Sequence, residues 1–136
     1  MTFQEAIGRC LRRYAELHGR ARRSEYWWFT LFFVLVVTAG GLLDQAFGFT
    51  EAPEGGGPVA GLLTLALLLP LLGVGARRLH DTGRSAWWLT LGLVPVGGVV
   101  VLLLWAAQPS QPDANEHGPA PVDGAPVGRA PDLTRP

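Results

Sequence analysis

Two stretches of the 136-residue chain carry the groups best suited to chemistry. The first, GRARRSEYWWF (19–29), places Arg20, Arg22, Arg23 and Glu25 just before Trp27 and Trp28. The second, RRLHDTGRSAWW (77–88), places Arg77, Arg78, His80, Asp81 and Arg84 just before Trp87 and Trp88. A guanidinium is a planar fork that matches phosphate and carboxylate geometry. Six such forks on one surface suit a lipid headgroup or another anion. His80 beside Asp81 is the pair an acid–base enzyme would use, imidazole as base and carboxylate as its orienter. No serine-nucleophile pattern, metal-ligand set or phosphate loop accompanies them. The enzyme reading therefore ranks below a binding one, and no metal and no cofactor are expected. HDTG also supplies turn formers, with Gly83 free to adopt a positive φ. A turn closed by a salt bridge from Asp81 to Arg78, Arg84 or an N-terminal arginine is the leading reading of 77–85.

The elements that hold these groups are apolar. Residues 26–43 and 58–76 carry no charge, and neither do residues 86–107. Eighteen helical residues span ~27 Å, close to the ~30 Å hydrocarbon core of a bilayer. A soluble helix needs a polar face, and these runs have none. The expected fold is an all-α membrane protein with membrane segments at 26–47, 58–76 and 86–107. Pro70, Gly73 and Gly75 should bend or loosen the second segment. Pro95 with Gly97 and Gly98 marks a break in the third. A single crossing kinked at Pro95 is favoured there, and a re-entrant hairpin is the alternative. Twenty-two residues are too few for two full crossings.

Ahead of these segments, residues 2–18 show Phe3, Ile7, Cys10, Leu11, Tyr14 and Leu17 at helical steps, with Arg9, Arg12, Arg13 and Glu16 elsewhere on the wheel. Thr2 and Glu5 have capping-box spacing, and Gly19 is a natural stop. An amphipathic surface helix is expected, lying in the membrane interface or packed on the same chain. The N-terminus does not read as a cleavable signal peptide. The lone Cys10 excludes an intramolecular disulfide. Ser24 and Ser85 each stand where a helix N-cap would be, and the paired tryptophans suit the headgroup level.

Net charge is zero, which argues against a nucleic-acid partner. Its distribution is uneven. All eleven bases are arginine; residues 1–25 hold six, and residues 44–57 hold only acids. The positive-inside rule then puts the N-terminus and 77–85 in the cytoplasm and 45–57 outside. A crossing third segment would leave the C-terminal tail outside; a re-entrant one would return it inside. Residues 122–136 end a proline-rich stretch that cannot bury enough surface to order itself, so residues 1–121 form the expected domain.

GRARRSEYWWF, RRLHDTGRSAWW, the VPVGG break (94–98) and NEHGPAP (115–121) together resemble family 805 of domains of unknown function, over roughly residues 5–121. The resemblance implies a small bacterial inner-membrane protein and no reaction. The family's tail reads close to G-x-N-x-(aromatic)-G-P-x-P; here Asp113 and His117 stand in place of the glycine and the aromatic. The expected partners are the bilayer itself and anionic phospholipid, with a second copy or another membrane protein as further candidates. Transport by an oligomer is the alternative function. It would draw on Thr30, Thr38, Thr64 and Thr90, the hydroxyls within the apolar runs.

Overall fold

A computed structural model describes residues 1–50 and 56–121; the tail expected to be disordered, 122–136, lies outside them. The order is α1 (Phe3–Arg12), α2 (Arg23–Ala46), α3 (Pro58–Asp81), a 3₁₀ helix η1 (Ala86–Leu93) and α4 (Gly97–Ala107). No strand occurs among the described residues.

The distribution of side chains is inverted relative to a water-soluble fold. Leu35, Leu42, Leu62 and Leu65 are more than half exposed. Arg77, Arg78, Glu25, Asp44 and Asp81 are buried to 1 % exposure or less. Water would reverse both choices. α2 and α3 are long and apolar enough to cross a membrane, and most of the α2 surface faces outwards rather than into a core. Its first residues make a small apolar nucleus with α1 and α3, built from Cys10, Ala21, Phe29, Leu67 and Val74.

α1 starts as expected: Thr2 and Glu5 form a reciprocal capping box. It ends at Arg12, six residues short of the expected His18. Tertiary contacts explain the early stop. Pro70 lacks an N–H, so the Ala66 carbonyl one turn earlier has no helical partner. The Tyr14 hydroxyl donates to that carbonyl, an arrangement by which a neighbouring side chain makes proline tolerable inside an apolar helix. The link after α1 crosses α3 at Gly73, where a Cβ would lie 3.2 Å from the Glu16 carbonyl oxygen. α1 packs on α2 and α3, with Phe3 edge-on to Trp28 and Phe32 at 5.6 and 6.4 Å.

The two serines differ. α2 begins at Arg23 with Arg22 at the N-cap position and no side-chain cap, so Ser24 lies inside the helix rather than capping it. Ser85 does cap, accepting from the Trp87 N–H at the start of η1. The expected loop 77–85 is also shorter: α3 stays helical through Asp81. Gly83 N–H then bonds the His80 carbonyl and Arg84 N–H the Leu79 carbonyl. This is a Schellman stop, and Gly83, at φ +76°, takes its left-handed position.

The third apolar segment is not the favoured single crossing. It doubles back: Trp88 packs edge-on to Trp105 at 5.5 Å, so the two ends of 86–107 lie side by side. Eight 3₁₀ residues rise ~16 Å and eleven α residues ~16 Å, two matched arms each about half a hydrocarbon core. The reversal is a tight γ-turn. The Gly97 N–H reaches the Pro95 carbonyl at 2.6 Å across Val96, whose φ is +60° and ψ −66°. Gly98 is required beside it, because a Cβ there would collide with the Leu91 carbonyl. Pro95 and the glycines therefore make a hairpin tip rather than a kink.

Candidate functional site

The arginine motifs meet at one end of the bundle. α3 is the centre, because its last turn turns Arg77, Arg78 and Asp81 inwards. Arg77 donates to the Glu25 carboxylate on the first turn of α2 at 2.6 Å. Cys10 on α1 completes that cluster, with its Sγ 3.7 Å from Glu25 Oε1 and 3.9 Å from Arg77 Nη2. Burial pushes the Cys10 thiol up to about 12, and the Glu25 carboxylate adds to the effect. Arg9 stands 3.9 Å from the other Glu25 oxygen.

Asp81 holds a second cluster. Arg20 Nε lies 3.0 Å from Oδ1, and Arg78 and the Ser110 hydroxyl both donate to Oδ2. Further arginine donors go to the end of α4 and to the segment after it. Arg20 reaches Gln111 at 2.6 Å, Asp113 at 2.7 Å and Gly118 at 3.4 Å. Arg78 reaches Ala106 at 2.9 Å and also Gln108. Arg23 donates to the Ala107 carbonyl at 3.0 Å. Arg84 donates to the Gln108 side chain at 2.8 Å and lies over the Trp105 ring. Ala106, Ala107 and Gln108 close α4, where carbonyls lack helical partners and carry the negative end of the helix dipole. Four motif arginines thus cap the hairpin's returning end and strap residues 108–121 across the cap.

The strap is pinned at His80 as well. Asn115 Nδ2 donates to the His80 carbonyl at 2.9 Å and to Gln111 Oε1 at 2.7 Å. The Gln111 N–H bonds the Asp81 carbonyl at 3.0 Å. The His117 ring stacks flat on His80, 3.9 Å apart and 5° from parallel.

These contacts revise the catalytic pairing of His80 and Asp81. His80 Nδ1 turns to the Gly19 carbonyl at 3.0 Å, while Asp81 faces Arg20, Arg78 and Ser110. The carboxylate therefore orients no imidazole. Thr30, Thr64 and Thr90 donate to carbonyls of their own helices. The tryptophans Trp27, Trp28, Trp87 and Trp88 are exposed. Among the motif arginines, Arg20, Arg77 and Arg78 are buried, Arg22 and Arg84 half-buried, and Arg23 exposed. No group of three or more potential metal ligands occurs among the described residues.

Sequence reasoning missed Cys10, Ser110, Gln111 and Asn115 as parts of the cap. The only signal for Asn115 was the family-like tail motif; Cys10 had none, because its partners are 15 and 67 residues away.

Comparison with known proteins places the chain in a family. Residues 14–119 match the family described as protein of unknown function (DUF805), a range that takes in both arginine motifs, the hairpin and the strap. Inner membrane protein YhaH of Escherichia coli K12 is 40 % identical over 111 residues, covering 82 % of this chain and 91 % of the relative. Inner membrane protein YhaI of the same organism is 37 % identical over 115 residues, covering 85 % and 93 %. No solved structure matches. On this match and these relatives, the chain belongs to the DUF805 family, and the two relatives are named inner membrane proteins.

Proposed function

We propose that this protein is a non-catalytic binding protein of the bacterial inner membrane, whose basic collar holds anionic phospholipid. One observation carries the reading: the arginines divide into two sets. Arg20, Arg77 and Arg78 are buried and engaged with protein acceptors. Arg9, Arg12 and Arg23 are exposed; Arg9 stands 3.9 Å from Glu25 and Arg23 donates to the Ala107 carbonyl through one nitrogen, which leaves guanidinium donors facing outwards in the sequence neighbourhood of the exposed Trp27 and Trp28. Exposed arginines beside interfacial tryptophans suit lipid phosphates.

On this reading the N-terminus, residues 82–85 and the strap face the cytoplasm, and the α2–α3 connection faces outwards. Single cysteines in a Cys10→Ser background test that orientation. Gln45→Cys should label from outside, and Thr82→Cys and Ala120→Cys only from inside; the reverse pattern would refute it.

Lipid retention tests the binding. Purified protein should retain phosphatidylglycerol or cardiolipin over phosphatidylcholine, and Arg9→Gln with Arg12→Gln and Arg23→Gln should lower retention severalfold while the fold survives. Unchanged retention in the triple variant, at low and high salt alike, would sink the proposal.

The hairpin tip supports a second reading, a membrane-embedded partner. Leu93 and Val96 are 85 % and 78 % exposed, and irregular backbone at membrane depth needs cover. A photo-crosslinker at Leu93 should capture a second chain in membranes; capture of lipid alone would leave the tip without one.

A further inference from the structure

We propose that the strap, residues 108–121, is a pH-sensitive latch, closed at neutral pH and released when both stacked imidazoles of His80 and His117 carry a proton. The rings lie face to face at 3.9 Å. Neutral imidazoles pack well in this geometry, whereas two imidazolium ions at that spacing repel.

The surroundings oppose a charge on both rings, and burial already holds the His80 imidazole below its usual value. On the strap, the Glu116 carboxylate lies 3.3 Å from His117 Nε2. That nitrogen is buried and makes no hydrogen bond, so the carboxylate is a counter-charge rather than an aligned partner. On the α1–α2 link, His18 is close enough to act on the charge of His80, which brings all three histidines of the chain into one corner. Arg20 on that link and Arg78 on α3 are cations already, and Asp81, the carboxylate between them, is committed to both. Asp113 meets Arg20 through its main-chain carbonyl. A second imidazolium therefore has no carboxylate of its own.

The sign follows from linkage. In the released strap each histidine titrates near ~6.5. In the closed strap the pair resists its second proton, so closure is favoured above that pH and weakens as pH falls through it. His80 is anchored on α3 by Nδ1 to the Gly19 carbonyl, so His117 is the partner that leaves. Asn115 and Gln111, which hold the strap to His80 and Asp81 by single hydrogen bonds, go with it, and so do the Gln111, Asp113 and Gly118 carbonyls that accept from Arg20.

Distance measurement in full-length protein tests this. Spin labels at Ala15 and Ala114, in a Cys10→Ser background in nanodiscs, should give one distance population at pH 8. A longer population should appear below about pH 6.5 and grow about tenfold per pH unit at first. His117→Phe keeps a flat ring and removes the titration, so it should hold the short distance down to pH 5. Glu116→Gln, at an exposed site, removes the counter-charge and should move release to higher pH. A wild-type distance unchanged to pH 5 would overturn the latch. So would release in His117→Phe at the wild-type pH, which would assign the acid response to carboxylates. If His117→Phe fails to fold, an unshifted release in Glu116→Gln serves as the overturning result.

Discussion

The two ends of the α2–α3 pair are closed by different means. At one end a single side chain suffices. Asp44, near the end of α2, accepts from the Val59 and Ala60 N–H groups at 2.9 and 2.8 Å. It caps α3 across the hairpin, where the N-cap residue Gly57 has no side chain to do so. A Cβ at Gly57 would strike the Asp44 carboxylate, so the glycine makes room for its replacement. The negative charge rests on the positive end of a helix, with both oxygens satisfied. At the other end, α1, α2, α3, α4 and the strap all contribute, and the carboxylates Glu25 and Asp81 are shared among four arginines. A helix N-terminus offers ready donors to a carboxylate. The C-terminal end of α4 offers carbonyls, and arginines brought from α2 and α3 reach them.

The sharpest test of this difference is chemical access. Cys10 lies in the arginine end with its thiol held near 12, so a water-soluble maleimide at pH 8 should react about a thousandfold slower than with an exposed thiol. A cysteine placed at the exposed Phe47, at the opposite end, should react at the ordinary rate. Equal rates would mean that the arginine end is open in solution.

Stability should separate the ends next. Asp81→Asn leaves Arg20 and Arg78 buried without their carboxylate, and should cost about 3–5 kcal/mol in thermal unfolding of the detergent-solubilised protein. Arg78→Gln combined with Asp81→Asn should cost less than the sum of the two alone. Asp44→Ala removes one capping side chain and should cost about 1–2 kcal/mol. A loss as large as that of Asp81→Asn would collapse the comparison.

The smallest effect lies at the hairpin tip, remote from both ends. Val96→Gly relieves a β-branched residue at φ +60° and should stabilise the protein by about 1 kcal/mol. A fall in the unfolding temperature would show that the valine side chain is needed at the tip for packing.

Much of this was legible in the chain itself. The uncharged runs became α2, α3 and the hairpin, and the Thr2–Glu5 spacing became a capping box. The gathering of the arginines around Asp81 and Glu25 follows from two motifs that each abut an apolar run. What was not legible depends on which partner a residue meets. The twin serines look alike, yet only Ser85 caps, because α2 starts one residue before Ser24. Residues 2–18 keep a helical period to the end, yet α1 stops at Arg12, where Tyr14 serves a carbonyl 52 residues away.

The sequence by itself determined the solvent of this protein and the end at which its charge collects. Hydropathy and arginine placement are sums over residues and need no coordinates. Only the tertiary structure decided whether residues 86–107 cross or return, and therefore that the tail comes back to the arginines. That choice turns on a γ-turn at Val96, two arms of equal rise, and carbonyls at the end of α4 that find donors on Arg23 and Arg78. The turn is local, but the arginine bonds that hold its returning arm join residues 84 and 28 positions apart in sequence, and local periodicity carries no information about such contacts.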